Sequence, residues 1–136
     1  MKNNAVENFS QGYSCSESVV KAAIDKGLIS RELLPCATSF SGGMGSGCLC
    51  GAVAGAQMVI GCLEGKDDKG RDGLEARKHA KELVEEFKTR NNATCCKVLT
   101  RGFDMASQER KNHCKKMVED AAEILTSILE LDKEKV

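Results

Sequence analysis

The stretch Phe40 to Gly65, FSGGMGSGCLCGAVAGAQMVIGCLEG, decides how the rest of the chain is interpreted. It begins with a loop at residues 41–47, because so many glycines lose too much backbone entropy to hold regular structure. A helix of small and apolar residues is predicted over residues 48–63. Each helical glycine costs up to about 1 kcal/mol relative to alanine. Gly51 and Gly55 therefore indicate that a neighbouring element or a cofactor approaches this helix closely.

Nucleotide binding and membrane insertion are both disfavoured for this stretch. The loop lacks the Gly-Lys-Ser/Thr ending of a phosphate-binding loop, and no strand precedes it, as a dinucleotide fingerprint would require. The apolar segment 49–63 is shorter than the roughly 20 residues that span a bilayer, and Gln57 interrupts it. We therefore predict a buried core helix, without nucleotide binding or membrane insertion.

The composition predicts one helical domain over residues 1–136. The chain has 136 residues, one proline, no tryptophan and 4% aromatic residues, which is unlike the composition of a β-sandwich. Twenty basic and twenty acidic residues give zero formal net charge. Because no basic patch is visible, we expect no nucleic-acid partner and no anionic membrane surface.

The flanking segments predict an all-α fold, a bundle of about four main helices with short additional helices and the glycine-rich loop. Serine and aspartate caps open the helices, and glycine or asparagine ends them. The predicted helices cover residues 2–10, Ser14 or Ser16 to about Lys26, a short piece from Ser30 that is kinked or ended near Pro35, 48–63, Asp72 to about Arg90, 94–99, and Ser107 to about Leu131.

Eight cysteines are the most unusual feature of the composition. The opening MKNNAVENF lacks the apolar segment of a secretory signal, which predicts a cytoplasmic protein. In a reducing compartment, many cysteines indicate metal ligation, redox chemistry or simple burial rather than a disulfide framework.

Four of the cysteines share a position at or near the N-terminal end of a predicted helix. The unpaired N–H groups and the dipole of such an end lower the pKa of a thiol and favour the thiolate. If these helix ends converge, the thiols form a four-sulfur site, although no pair has the Cys-x-x-Cys spacing of common metal and redox motifs. The alternative is that they are small buried hydrophobes. The four are Cys15, Cys50, Cys96 and Cys114.

The segment 50–55, CGAVAG, matches the motif Cys-Gly-Ala-x-x-Gly. With its surroundings, the chain resembles the C_GCAxxG_C_C family of redox-active proteins over nearly its whole length. A domain of this kind is also similar to the iron–sulfur part of split-Soret cytochrome c, whereas Cys-x-x-Cys-His, the haem attachment motif, is absent here. The matching landmarks are Cys15 in an early helix, Phe40-x-Gly-Gly, Cys96-x-x-Leu99, and Cys114 early in the last helix.

The resemblance implies that Cys15, Cys50, Cys96 and Cys114 are framework cysteines, and it favours electron transfer through an iron–sulfur cluster of unknown nuclearity. Gly51 and Gly55 would let that cofactor approach the backbone. Whether the chain is an oxidoreductase or an electron carrier stays open, as do its redox donor and acceptor. Its similarity to dimer-forming domains also suggests a homodimer.

Two alternatives to the cluster remain open. One is metal-free thiol–disulfide chemistry, with Cys50 as nucleophile and Cys48, Cys96 or Cys114 as resolving thiol. The other is zinc or another soft metal. His79 and His113 could join such a metal, although each is expected to be a solvated or capping histidine.

The remaining cysteines have no role assigned by the resemblance. Cys95 lies beside Cys96, so either could be the framework thiol. Cys36 and Cys48 are unassigned. Cys62, about three helical turns beyond Cys50, is expected in the core.

Overall fold

A computed structural model describes residues 1–104 and 106–129, and within them it contains helices and no β-strand, so the predicted all-α fold is confirmed. A single turn of 3₁₀-helix, Arg31–Leu33, precedes the third α-helix. In the described part of the chain the α-helices are α1 (Lys2–Ser10), α2 (Cys15–Asp25), α3 (Leu34–Thr38), α4 (Gly51–Glu64), α5 (Leu74–Asn91), α6 (Cys96–Leu99) and α7 (Gln108–Ile128).

The ends of α2 follow the capping chemistry of its sequence. The Ser14 side chain accepts a hydrogen bond from the backbone N–H of Glu17, and the Glu17 carboxylate accepts one from the N–H of Ser14. This capping box fixes the start of the helix. Gly27 follows the last turn with a φ of +75°, the left-handed conformation that ends many helices. At the start of α7 the Ser107 side chain likewise accepts a hydrogen bond from the backbone N–H of Arg110, without a reciprocal carboxylate bond.

The predicted boundaries of α3 and α4 differ from the structure. Helix α4 begins at Gly51 rather than Cys48, because residues 48–50 are extended and pair with the segment before α6. Pro35 lies in the first turn of α3 instead of kinking or ending a helix. A first turn accommodates proline because its N–H groups have no partner within the helix. The predicted end of the last helix near Leu131 lies outside the described residues.

Helix α4 is the central element, and α2 packs closely across it. Nearly all of its residues from Gly51 to Ile60 are buried. A methyl carbon added at Gly55 would lie 2.7 Å from the carbonyl oxygen of Ser16, and one added at Gly51 would lie 3.3 Å from the Cβ of Cys15. The two glycines therefore let the backbones of α2 and α4 approach each other, as the sequence indicated.

The last turn of α4 is uncovered on one side. Cys62 is exposed there, so its predicted place in the core is wrong. Among the described residues, the neighbouring Gly61 has no heavy atom within 4 Å of its Cβ position, so none of the described elements packs against it. Hydrophobic periodicity alone could not indicate where the covering helices stop.

Helix α7 is held against α1 and α5 by charged side chains. Glu123 binds Lys2 of α1 at 3.0 Å and Arg90 of α5 at 2.8 Å. The Asn91 side chain donates a hydrogen bond to Asp120. The buried apolar face of α7 completes the core. The orientation of α7 is therefore set by the core on one side and by these polar contacts to α1 and α5 on the other. Among the described residues, no helix is both long enough and apolar enough to cross a membrane.

Candidate functional site

Four cysteines from separate parts of the chain line one cavity of about 220 Å³. They are the four that the sequence singled out, and they come from α2, the start of α4, α6 and α7. The cavity is lined by Cys15, Cys50, Cys96 and Cys114 together with Phe9, Ser14, Gly42, Gly43, Gly51, Leu99, Thr100, Arg110 and Met117.

Cys15 and Cys50 are brought together by the crossing of α2 and α4. Cys15 is the first residue of α2, and Cys50 is the cap residue immediately before α4. Gly51 lines the cavity, and its missing side chain leaves room for Cys15. Gly55 does not line the cavity, since the backbone of Ser16 fills the space beside it.

Cys96 is positioned by a backbone pairing that the sequence did not reveal. The N–H of Cys50 donates to the carbonyl of Thr94 at 2.7 Å, and the N–H of Cys96 donates to the carbonyl of Cys48. An isolated antiparallel bridge joins Leu49 and Cys95 between these two bonds. This pairing fixes the positions of Cys50 and Cys96 relative to each other.

The glycine-rich loop closes over this pairing. Gly43 has a φ of +67°, and a methyl carbon there would lie 2.7 Å from the Cβ of Cys96 and 2.6 Å from the nitrogen of Cys48. Only glycine suits both the backbone conformation and the space. The sequence indicated a loop here, but it did not indicate that Gly43 makes room for a cavity cysteine.

Cys114 reaches the cavity from within α7 rather than from its N-terminus. It is the seventh residue of a helix that begins at Gln108, so it lies in the second turn. The dipole effect is largely confined to the first turn. The shared helix-end position expected from the sequence therefore holds for Cys15, Cys50 and Cys96, and it does not explain the chemistry of Cys114.

The expected lowering of thiol pKa by helix ends is wrong for two of the cysteines. Burial raises the pKa of Cys50 to about 11, although the N–H groups of Ala52 and Val53 act in the opposite direction. The pKa of Cys15 is raised well above its usual value, first by its hydrogen bond to Cys114 and then by burial. Desolvation of the charged form outweighs the helix end at Cys50.

The pKa of Cys114 moves the other way. The hydrogen bond from Cys15 lowers it to about 7, and the guanidinium of Arg110 contributes in the same direction. Arg110 lies one turn before Cys114 on α7 and also lines the cavity. Arg110 and Cys114 have the i, i+4 spacing of one helix face, a signal that the sequence already contains.

The other four cysteines do not line this cavity. The Cys95 thiol donates to the carbonyl of Gly47 at 3.3 Å, so Cys96, and not Cys95, faces the cavity. Cys36, Cys48 and Cys62 are exposed. Cys48 contributes its backbone carbonyl, rather than its thiol, to the arrangement around Cys96.

Neither histidine lines the cavity. His79 lies between two carboxylates, with Nδ1 2.6 Å from Glu64 and Nε2 3.1 Å from Glu75. Only 13% of its side chain is exposed, so the expectation of a solvated histidine is wrong. The ring of His113 stacks on Phe103 with centroids 4.9 Å apart.

A family model described as "Putative redox-active protein (C_GCAxxG_C_C)" matches residues 13–128. The matched range runs from the residue before the α2 cap to the end of α7 and contains all four cavity cysteines. No curated protein and no solved structure matches the chain.

Proposed function

Because the chain belongs to the C_GCAxxG_C_C family of redox-active proteins, we propose that it is a small electron carrier that holds an iron–sulfur cluster on four cysteine thiolates. The observation that carries the proposal is the common cavity of Cys15, Cys50, Cys96 and Cys114. A bound cluster would supply one-electron transfer, with a potential set by its charge, its hydrogen bonds and its burial.

The cavity fits such a group in its donor atoms and its space. The four cysteines that line the cavity offer sulfur, which iron–sulfur clusters require and which the softer transition metals prefer. About 220 Å³ is several times the roughly 30 Å³ share of one liquid water molecule. Phe9, Leu99 and Met117 add apolar walls, which limit the access of water.

The thiol chemistry of the metal-free cavity also supports a cation there. Each thiolate that forms disfavours the next, since negative charge on Cys50, Cys96 and Cys114 raises the pKa of Cys15. Metal binding replaces the thiol protons and removes this repulsion.

The surrounding groups would hold the sulfur ligands and adjust their electron density. The N–H groups of Ala52 and Val53 donate to the sulfur of Cys50, and Arg110 places a positive charge beside Cys114. Hydrogen bonds and positive charge near cluster sulfurs favour the reduced form, so both features would raise the reduction potential of a bound cluster.

Anaerobic production tests the proposal. Protein prepared with iron and sulfide should be brown, should contain acid-labile sulfide, and should bleach reversibly with dithionite. Cys50→Ser should lose most of the iron, whereas Cys62→Ser, which changes an exposed cysteine outside the cavity, should keep it. Colourless, iron-free protein after reconstitution would overturn the cluster. If zinc is bound in its place, the soft-metal alternative is correct, and sulfur alone would hold the metal in the cavity.

A second function is favoured by one specific contact. The hydrogen bond between Cys15 and Cys114 and the lowered pKa of Cys114 make Cys114 the better attacking thiolate, because Cys50 carries a raised pKa. Oxidation of two thiols to a disulfide would pass two electrons and two protons to an added oxidant. Mass spectrometry after mild oxidation should then find a Cys15–Cys114 disulfide that thiols reverse. If this bond does not form in metal-free protein, this alternative fails.

A further inference from the structure

A second group of metal-ligand side chains lies where α4 ends and α5 begins. Glu64 is the last residue of α4, and Glu75 and His79 lie one turn apart on α5. One donor atom from each of the three lies within 4.8 Å of the others. We propose that Glu64, Glu75 and His79 form a second cation site, which takes a divalent transition-metal ion of the zinc type.

The imidazole of His79 is already turned toward both carboxylates. Its Nδ1 lies 2.6 Å from a Glu64 oxygen and its Nε2 lies 3.1 Å from a Glu75 oxygen. Glu75 and His79 have the i, i+4 spacing that places two side chains on one helix face. Only 13% of the His79 side chain and 21% of the Glu64 side chain are exposed, so neither group is freely solvated.

Two carboxylates face one imidazole in this group, so all three side chains offer donor atoms to a cation. Glu64 also lies at the C-terminal end of α4, where the helix dipole disfavours a carboxylate and favours a cation. The nearby Arg71 bonds to Asp67 at 2.9 Å and to the carbonyl of Leu63. A divalent ion would place positive charge beside both carboxylates and at the C-terminal end of α4.

The donor set defines the metal class. One imidazole nitrogen and two carboxylate oxygens suit zinc, cobalt or nickel. Zinc lies about 2.0–2.2 Å from such nitrogen and oxygen ligands. Tetrahedral ligands at that distance are about 3.4 Å apart. Because Glu64 faces Nδ1 and Glu75 faces Nε2, an ion bound to Nδ1 beside Glu64 requires the Glu75 side chain, which is 60% exposed, to rotate toward it. Calcium, with its six to eight oxygen ligands, is disfavoured.

The surroundings leave room for the remaining ligand. A surface cleft of about 310 Å³ is lined by Glu64 and Glu75 together with Leu63, Arg71 and Asp72. Solvent can therefore reach the ion and complete its coordination. Because all three protein ligands lie at the junction of α4 and α5, the bound ion would join the two helices across the loop 65–73. The site shares no residue with the cysteine cavity.

Cobalt(II) absorption spectroscopy tests this site separately from the cavity. Cobalt bound to thiolate gives intense near-ultraviolet charge-transfer bands, whereas cobalt bound by nitrogen and oxygen gives only weak visible bands. Wild-type protein should bind one cobalt ion per chain that gives only the weak visible bands, in addition to any cobalt whose thiolate bands assign it to the cysteine cavity. His79→Gln and Glu75→Gln should weaken that binding by about tenfold or more. His113→Gln, which changes the other histidine, should leave it unchanged.

Two results would overturn the proposal. One is that the thiolate bands account for all of the bound cobalt, which would assign every bound ion to cysteine. The other is equal affinity of wild type and both α5 variants, with circular dichroism showing that the variants remain folded. Because neither result depends on iron, failure of this site and failure of the cluster are distinguishable.

Discussion

At the scale of single residues, the most informative group is the thiol of Cys114. In metal-free protein its pKa is lowered to about 7, whereas burial raises that of Cys50 to about 11. The alkylation rate of Cys114 should therefore rise between about pH 6 and 8 as its thiolate forms, while that of Cys50 should keep rising to far higher pH. Mass spectrometry of iodoacetamide-treated protein across pH measures both profiles.

Removing the hydrogen-bond donor supplies the control. Cys15→Ala deletes the largest cause of the lowered pKa, so the Cys114 profile should shift to higher pH. An unchanged profile would mean that the contact between the two thiols does not set the reactivity of Cys114.

The sequence predicted which thiols matter, but it did not predict their ionisation. It identified the cavity cysteines through helix positions and a motif, and it left Cys95 and Cys96 unresolved. A hydrogen bond from the Cys95 thiol to Gly47, 48 positions earlier, directs that thiol away from the cavity. Likewise, the raised pKa of Cys50 depends on burial by distant elements, which no local spacing encodes.

At the scale of elements, the contact between α2 and α4 positions two of the cavity cysteines. Gly55→Ala would place its methyl carbon 2.7 Å from the Ser16 carbonyl oxygen. Since both atoms are held by helix backbone, we expect the free energy of unfolding to fall by about 1–3 kcal/mol. Urea denaturation measures this change.

A matched substitution on the same helix should change the free energy of unfolding in the opposite direction. Gly61 has no heavy atom within 4 Å of its Cβ position, so Gly61→Ala should stabilise the protein by about 0.5–1 kcal/mol through helix propensity alone. If both variants are stabilised equally, close packing is not the reason for glycine at position 55.

The helix starts were largely predictable because their signals are local. Ser14 and Ser107 cap helices as serine commonly does. The start of α4 was misplaced by three residues, because the extended segment 48–50 is stabilised by pairing with residues 94–96. Local propensity does not contain such a long-range pairing.

At the scale of the whole molecule, the cavity exists only because four distant segments meet. The sequence predicted the helices and the four cysteines, whereas their convergence depends on the packing of α2, α4 and α7 and on the pairing before α6. The need for glycine in the glycine-rich loop is also visible only in the fold, where Gly43 leaves space for Cys96.

The central claim is that the four cavity cysteines are sufficient to hold the cluster. The most direct measurement is the iron and acid-labile sulfide content of a variant in which the other four cysteines, Cys36, Cys48, Cys62 and Cys95, are serine. After anaerobic reconstitution this variant should match wild type in iron, in sulfide and in its visible spectrum. Colourless, iron-free protein, from a variant whose circular dichroism matches that of wild type, would contradict the claim.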